Sequence, residues 1–173
     1  MNRREAGRTL LMGAMTFGLP TAAFAQAMTS ESMGDAERRH AMDTLRVGGL
    51  ALQSSQVAQR KASGAAVKKF AGFEVDEQTT IAQIIKESTG MAPPPPDAKA
   101  TAVMDKLNAA SGRAFDTAYI TAQTDGHNEL LQIQERYLAS GRMPAMRHVA
   151  MLARGQIKEH LAHLATLRSG GML

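Results

Sequence analysis

The stretch Thr89-Gly90-Met91-Ala92-Pro93-Pro94-Pro95-Pro96-Asp97-Ala98 decides how this 173-residue chain folds. Four consecutive prolines cannot continue a helix; they hold the backbone in a stiff polyproline II path rising about 3.1 Å per residue. From Gly90 to Ala98 such a path covers most of the length of a helix of about 24 residues, which rises about 36 Å. A turn between adjacent antiparallel helices needs no such span. The spacer therefore predicts a chain that travels the length of a bundle before its next long helix begins.

Apolar residues recur at helical spacing on both sides of the spacer, and β-branched alternation is nowhere sustained. Before it, one helix is expected from Asp35 to Ala62, with Met42, Leu45, Gly49, Leu50, Leu52 and Val57 inward, closed by Ser63-Gly64. A second, Ala65 to Ser88, carries Val67, Phe70, Ala71, Ile81, Ile84 and Ile85 and stops at Thr89-Gly90. After the spacer come a short helix, Lys99 to Ala110, and a third long one, Arg113 to Ala139, with Phe115, Tyr119, Ala122, Leu130, Ile133 and Tyr137 inward. Ser140-Gly141 turns into the fourth, which starts with Pro144 in its first turn and ends at Arg168. The expected fold is all-α: a ferritin-like four-helix bundle over residues 35–168, two helical hairpins joined by a long Pro-rich crossover with a short extra helix.

Residues 1–25 read as an export signal. Arg3, Arg4 and Arg8 form a basic start, Thr9 to Gly18 a mildly apolar run, and Ala23-Phe24-Ala25 a small-x-small cleavage pattern. Asn2-Arg3-Arg4-Glu5-Ala6-Gly7-Arg8 resembles a twin-arginine signal and is equally compatible with general secretion. Residues 26–34 are expected to be a flexible N-terminus and 169–173 a frayed tail. Periplasmic or otherwise exported placement follows, and the absence of Cys excludes disulfides and thiolate metal sites. Removing residues 1–25 takes away three Arg and one Glu and leaves 17 basic against 15 acidic side chains. These charges are scattered along the helices, which excludes the clustered basic face that nucleic acid requires. No transmembrane span is expected in the mature chain; an envelope partner or a small ligand remains open.

Certain polar residues fall where an apolar one belongs. At 100° per residue Glu74 and Glu77 lie near the centre of the stripe on the second helix, His160 near the middle of the fourth, and His127 beside the stripe of the third. Counted from the hairpin turns, these residues and Gln53, Gln123 and Gln156 share one level to within about a helical turn, roughly 5 Å; His163 flanks them. Burying such groups costs several kcal/mol unless they are paired or bind a cation, so this layer is the candidate site. Glu74, Glu77, His127 and His160 form an acid and imidazole set suited to Fe, Mn or Zn. The alternative is that they satisfy one another by charge-assisted hydrogen bonds, with Gln53, Gln123, Gln156 and His163 in support. The Glu-x-x-His pairs of di-iron bundles are missing, which argues against a two-metal centre.

Met143, Met146, His148 and Met151 offer soft ligands, but on one helix they spread over about 200° and read as core filling. His40 reads as solvated surface. Nucleophile chemistry is excluded by the lack of Cys and of any nucleophile-elbow Ser. With five Phe, two Tyr and no Trp there is no platform for sugars, which argues against glycoside hydrolysis by Glu74 and Glu77.

Val67-Lys68-Lys69-Phe70-Ala71, Phe73-Glu74-Val75-Asp76-Glu77-Gln78, Ser111-Gly112 with Phe115-Asp116 and Tyr119, then His127, and Ile157-Lys158-Glu159-His160-Leu161 together resemble the exported domain-of-unknown-function family 4142. The resemblance spans about residues 38–168 and implies a ferritin-like bundle without implying a reaction. Many members carry Glu where Gln53 stands and an Asp-His pair where Glu77-Gln78 stands, which implies that part of a family site is absent here. The label "predicted outer membrane protein" carried by such relatives does not suit an all-α chain, because outer-membrane spans are β-barrels. Two functions are expected from this reading. The first is a non-enzymatic exported bundle, envelope- or stress-related, with a structural polar layer. The second is a metalloprotein holding one transition ion through Glu74, Glu77, His127 and His160.

Overall fold

The structure, a computed structural model, describes residues 33–170. The expected export signal, nearly all of the segment 26–34 and the last residues of the tail lie outside the described residues. Five helices follow in order: α1 Asp35–Lys61, α2 Ala65–Thr89, α3 Ala98–Ala109, α4 Gly112–Ser140 and α5 Pro144–Arg168. No strand occurs among the described residues. Gly90 ends α2 with φ of 73°, a left-handed conformation that favours glycine. Asp97 starts α3 by accepting a hydrogen bond from the Ala100 N–H.

Two carboxylates show how the helices run. Asp116, near the start of α4, accepts from the N–H groups of Ser63 and Gly64, each at 2.9 Å, and so fastens the α1–α2 turn. Glu37, near the start of α1, accepts from the Arg142 N–H at 2.8 Å and fastens the α4–α5 turn. The start of each helix therefore lies beside the end of the other, and α1 and α4 are antiparallel. Because α2 ends beside the start of α1, and α4 starts beside its end, the chain between them has to run the length of the bundle; the proline spacer covers only the first part, to the level of Arg46, and α3 covers the rest, to the level of Lys61. On the way Asp97 and Glu129 both meet Arg46, Lys99 pairs with Glu129 at 2.7 Å, and Lys61 donates to the Leu107 carbonyl at 3.1 Å. These ties are partly exposed, and each contributes only about 0.2–1 kcal/mol.

α1 buries a different face from the one its large side chains suggest. Ala41, Gly48, Ala51, Ser54, Ser55 and Ala58 face inward, while Met42 is 40% exposed and Leu50, Leu52 and Val57 are half-buried. Small residues let the α1 backbone approach α4, whose Ile120, Leu130, Ile133 and Tyr137 fill the seam. A stripe drawn through the largest apolar residues is rotated away from this close-packed line. Ile84 on α2 is likewise exposed rather than inward. His40 is not solvated: it is buried, donates from Nε2 to Gln134 Oε1 at 2.6 Å, and stacks on Tyr137 with ring centroids 4.0 Å apart.

The two hairpins correspond position for position. α2 and α5 are both 25 residues long, and placing Ala65 opposite Pro144 puts Val67 opposite Met146, Phe70 opposite Val149, Ala71 opposite Ala150 and Ile85 opposite Leu164, all buried. The same register sets Glu37 opposite Asp116 and the turn residues Ser63-Gly64 opposite Arg142-Met143, so the two clasps exchange. It also exchanges the His40–Gln134 hydrogen bond with that between Tyr119 and Ser55, 2.8 Å. Gln134→Thr44, 3.2 Å, exchanges with Gln123→Ser55, 3.1 Å. The bundle thus has an approximate internal two-fold relation. α2 and α5 meet least closely of the neighbouring long helices and leave a groove between them.

Candidate metal centre between three helices

Glu74 on α2, His127 on α4 and His160 on α5 converge in the interior; the first two have no exposed surface and His160 is 8% exposed. Glu74 follows Phe70 by one helical turn, and the Phe70 ring lies 5.2 Å from the His160 ring and 6.2 Å from that of His127. The trio has an apolar wall on the Phe70 side and reaches water only at the edge of His160.

Three ligand-type atoms form a triangle. Glu74 Oε1 is 2.6 Å from His160 Nδ1 and 3.1 Å from His127 Nε2, and the two nitrogens are 3.2 Å apart. His127 Nδ1 lies 2.8 Å from the Gln123 carbonyl oxygen, which can only accept, so Nδ1 carries a hydrogen. In the neutral ring Nε2 then presents a lone pair to the triangle. A nitrogen of this kind offers either one hydrogen or one lone pair, along a single direction. Once one nitrogen donates to the other, its edge with Glu74 has no separate hydrogen, so protons give at most two of the three edges a donor of their own. A cation satisfies all three atoms at once.

Electrostatics agree with a closely coupled centre. Burial acts to raise the Glu74 pKa, but its close contacts with the His127 and His160 ring nitrogens outweigh it and hold the carboxylate at about 2. Burial acts to lower that of His160, and the hydrogen bond and charge of Glu74 reverse it, so His160 titrates above its ordinary value. Glu77 is pushed up by burial. Glu74 Oε2, Glu77 Oε1 and Gln123 Oε1 are buried oxygens without a donor. Such acceptors are costly to leave unpaired, and they are groups that a cation or its bound water satisfies.

Of the eight residues expected in the layer, three meet directly. Glu77 sits across the His160 ring, its Oε2 3.5 Å from Nε2 while Nδ1 faces Glu74. It is placed to orient His160 rather than to share the triangle, as carboxylates behind metal-bound histidines do. Gln123 is buried and braces α4 against α1 through Ala51, Ser54 and Ser55. Gln53 is exposed on the crossover side, because α1 is rotated as described above. Gln156 is exposed on the groove rim, and His163 is exposed with its ring 6.3 Å from His160. Both lie off the α5 stripe by enough to reach water.

Sequence reasoning missed Gln78, His40, Thr44, Ser54 and Ser55, all buried. Thr44, Gly48, Ala51 and Ser55 at spacings of three and four are a legible trace of a close-packed face. Met146 fills core as expected, whereas Met151 and His148 are exposed, so that cluster does not converge.

Fold and site together define an all-α helical bundle with a buried acid and imidazole centre shared by three helices. The chain belongs to the family described as domain of unknown function (DUF4142), whose model matches residues 21–167. No curated protein and no solved structure matches it.

Proposed function

We propose that this protein is an exported bundle of the ferritin-like type that holds one divalent transition ion, Zn, Mn or Fe, through Glu74, His127 and His160. The observation that carries the reading is the triangle of 2.6, 3.1 and 3.2 Å edges, in which three ligand-type atoms from three helices share too few hydrogens to give every edge a donor. The carboxylate and two imidazoles are borderline-to-hard ligands, and His127 has the second hydrogen bond that metal-bound histidines make. Export is supported by the basic Arg3, Arg4 and Arg8, by the mildly apolar run from Thr9 to Gly18 and by Ala23-Phe24-Ala25. No described helix is long and apolar enough to cross a membrane. The ion has a binding role, and no reaction is assigned to it.

Elemental analysis of protein purified from its own cell envelope tests this. The parent should carry close to one ion per chain, and the His127→Ala, His160→Ala double variant none. If neither holds Zn, Mn or Fe after loading, the metal reading fails. The 2.6 Å contact between Glu74 and His160 would then remain as a charge-assisted pair, and the layer would be structural.

A further inference from the structure

The groove between α2 and α5 is the side on which the centre approaches solvent. Glu74 and His127 have no exposed surface, and Phe70 closes the triangle on one side. Only the His160 and Glu77 side chains, 10% and 9% exposed, connect the centre to the outside. Both lie on the floor of a groove of about 720 Å³. Its charged lining is acidic: Asp76 and Glu77 face it, no Lys or Arg does, and Glu159 lies close enough to act on both Glu77 and His160. Phe73, Ile84 and Leu152 stand partly exposed along it, Leu152 at 72%.

An acidic cleft with apolar walls concentrates cations and focuses their field. Glu77 Oε1 is buried and has no donor, so it is free to accept a cation. Glu77 and Glu74 meet opposite nitrogens of the same His160 ring. From this we infer that a divalent cation enters through the α2–α5 groove, is taken first by Glu77, and passes to Glu74 and His127 as the His160 ring yields. The inference rests on the metal reading above and adds the path and the residue that receives the ion.

A matched pair of charge substitutions tests the route without touching the site. Thr80 lines the groove and Thr101 lies on α3, which packs against α1 and α4; both are exposed and both bond the carbonyl four residues back. Uptake of Co(II), added alone to metal-free protein, is followed by stopped-flow absorbance. Thr80→Lys should slow uptake about threefold to tenfold at low ionic strength, with the difference closing as salt is raised. Thr101→Lys should match the parent. Equal rates for the two variants, with stoichiometric uptake retained, overturn the groove as the route. Failure of the parent to take up any ion overturns the metal reading, and this inference with it.

Discussion

The two hairpins pack alike, and the two sites that their two-fold relation matches differ in chemistry. On one side of the two-fold relation Glu74 of the first hairpin meets His127 and His160 of the second; the matching positions on the other side hold Ala153, Gly48 and Ile81. Ala153 and Gly48 are buried, Ile81 is partly so, and both Ala153 and Ile81 belong to an apolar cluster with Leu130 and Ile157. The space beside Gly48 is taken by Gln78, whose Oε1 lies 2.5 Å from where a Cβ would stand. Equivalent positions of this bundle are therefore served by small and apolar residues. The architecture does not demand acids or imidazoles there, which supports the metal-binding role proposed for them.

The sharpest way to break the comparison is to copy one half into the other. Glu74→Ala alone should destabilise the metal-free protein by about 3–5 kcal/mol, because it strands a buried imidazolium. Adding His160→Ile, the residue found opposite, should recover a large part of that loss, as read from urea midpoints at constant slope. If the double variant is as unstable as the single one, the equivalence of the halves is wrong. The two clasps come next. Asp116→Ala removes three hydrogen bonds, to the Ser63 and Gly64 N–H groups and the Ser63 hydroxyl, and should cost about 2–3 kcal/mol in a thermal melt. A loss below about 0.5 kcal/mol would show that the turn closes without it.

The two buried histidine environments should also respond oppositely to acid. His40 is held below its ordinary pKa by burial, which outweighs its hydrogen bond with Gln134 and the charges of Asp43 and Glu37. A depressed native value means that the unfolded chain takes up the proton first. The stability is present above about pH 6.5 and is lost as pH falls toward the native value, at no more than about 1.4 kcal/mol per pH unit. His40→Gln should flatten the melting profile in that window, and an unchanged profile would remove His40 as its source. The smallest effect concerns adjacent glycines. Gly49 has open space around it, so Gly49→Ala should stabilise α1 by about 0.5–1 kcal/mol, whereas Gly48→Ala should destabilise it by displacing Gln78. Equal denaturation midpoints for these two would mean that Gln78 does not fill the Gly48 space.

Helix number, order and ends were legible because Ser63-Gly64, Thr89-Gly90, Ser111-Gly112 and Ser140-Gly141 punctuate strongly periodic runs, and four prolines need distance to cover. Glu74, His127 and His160 could be singled out because each interrupts a helix face otherwise made of large apolar residues. α1 gave no such signal. Its inward face is Ala, Gly, Ser and Thr, so hydrophobic weighting pointed to Met42, Leu50 and Leu52 and carried Gln53 into the layer with them. His40 was misjudged for the same reason, since its burial comes from Tyr137 and Gln134, nearly a hundred residues away in sequence. The correspondence between halves was hidden because side-chain volume changes at almost every matched position of α1 and α4, small opposite large.

Each carboxylate that closes a turn belongs to the opposite hairpin. Neither 35–89 nor 112–168 contains the latch for its own bend, so a separated half would keep its helices' preferences and lose the fastening that sets their angle. Two such fragments carry each other's missing piece, and mixing them should restore one cooperative transition where each alone melts gradually. The chain is in this sense a dimer written once, with its proline strap keeping the partners at high effective concentration.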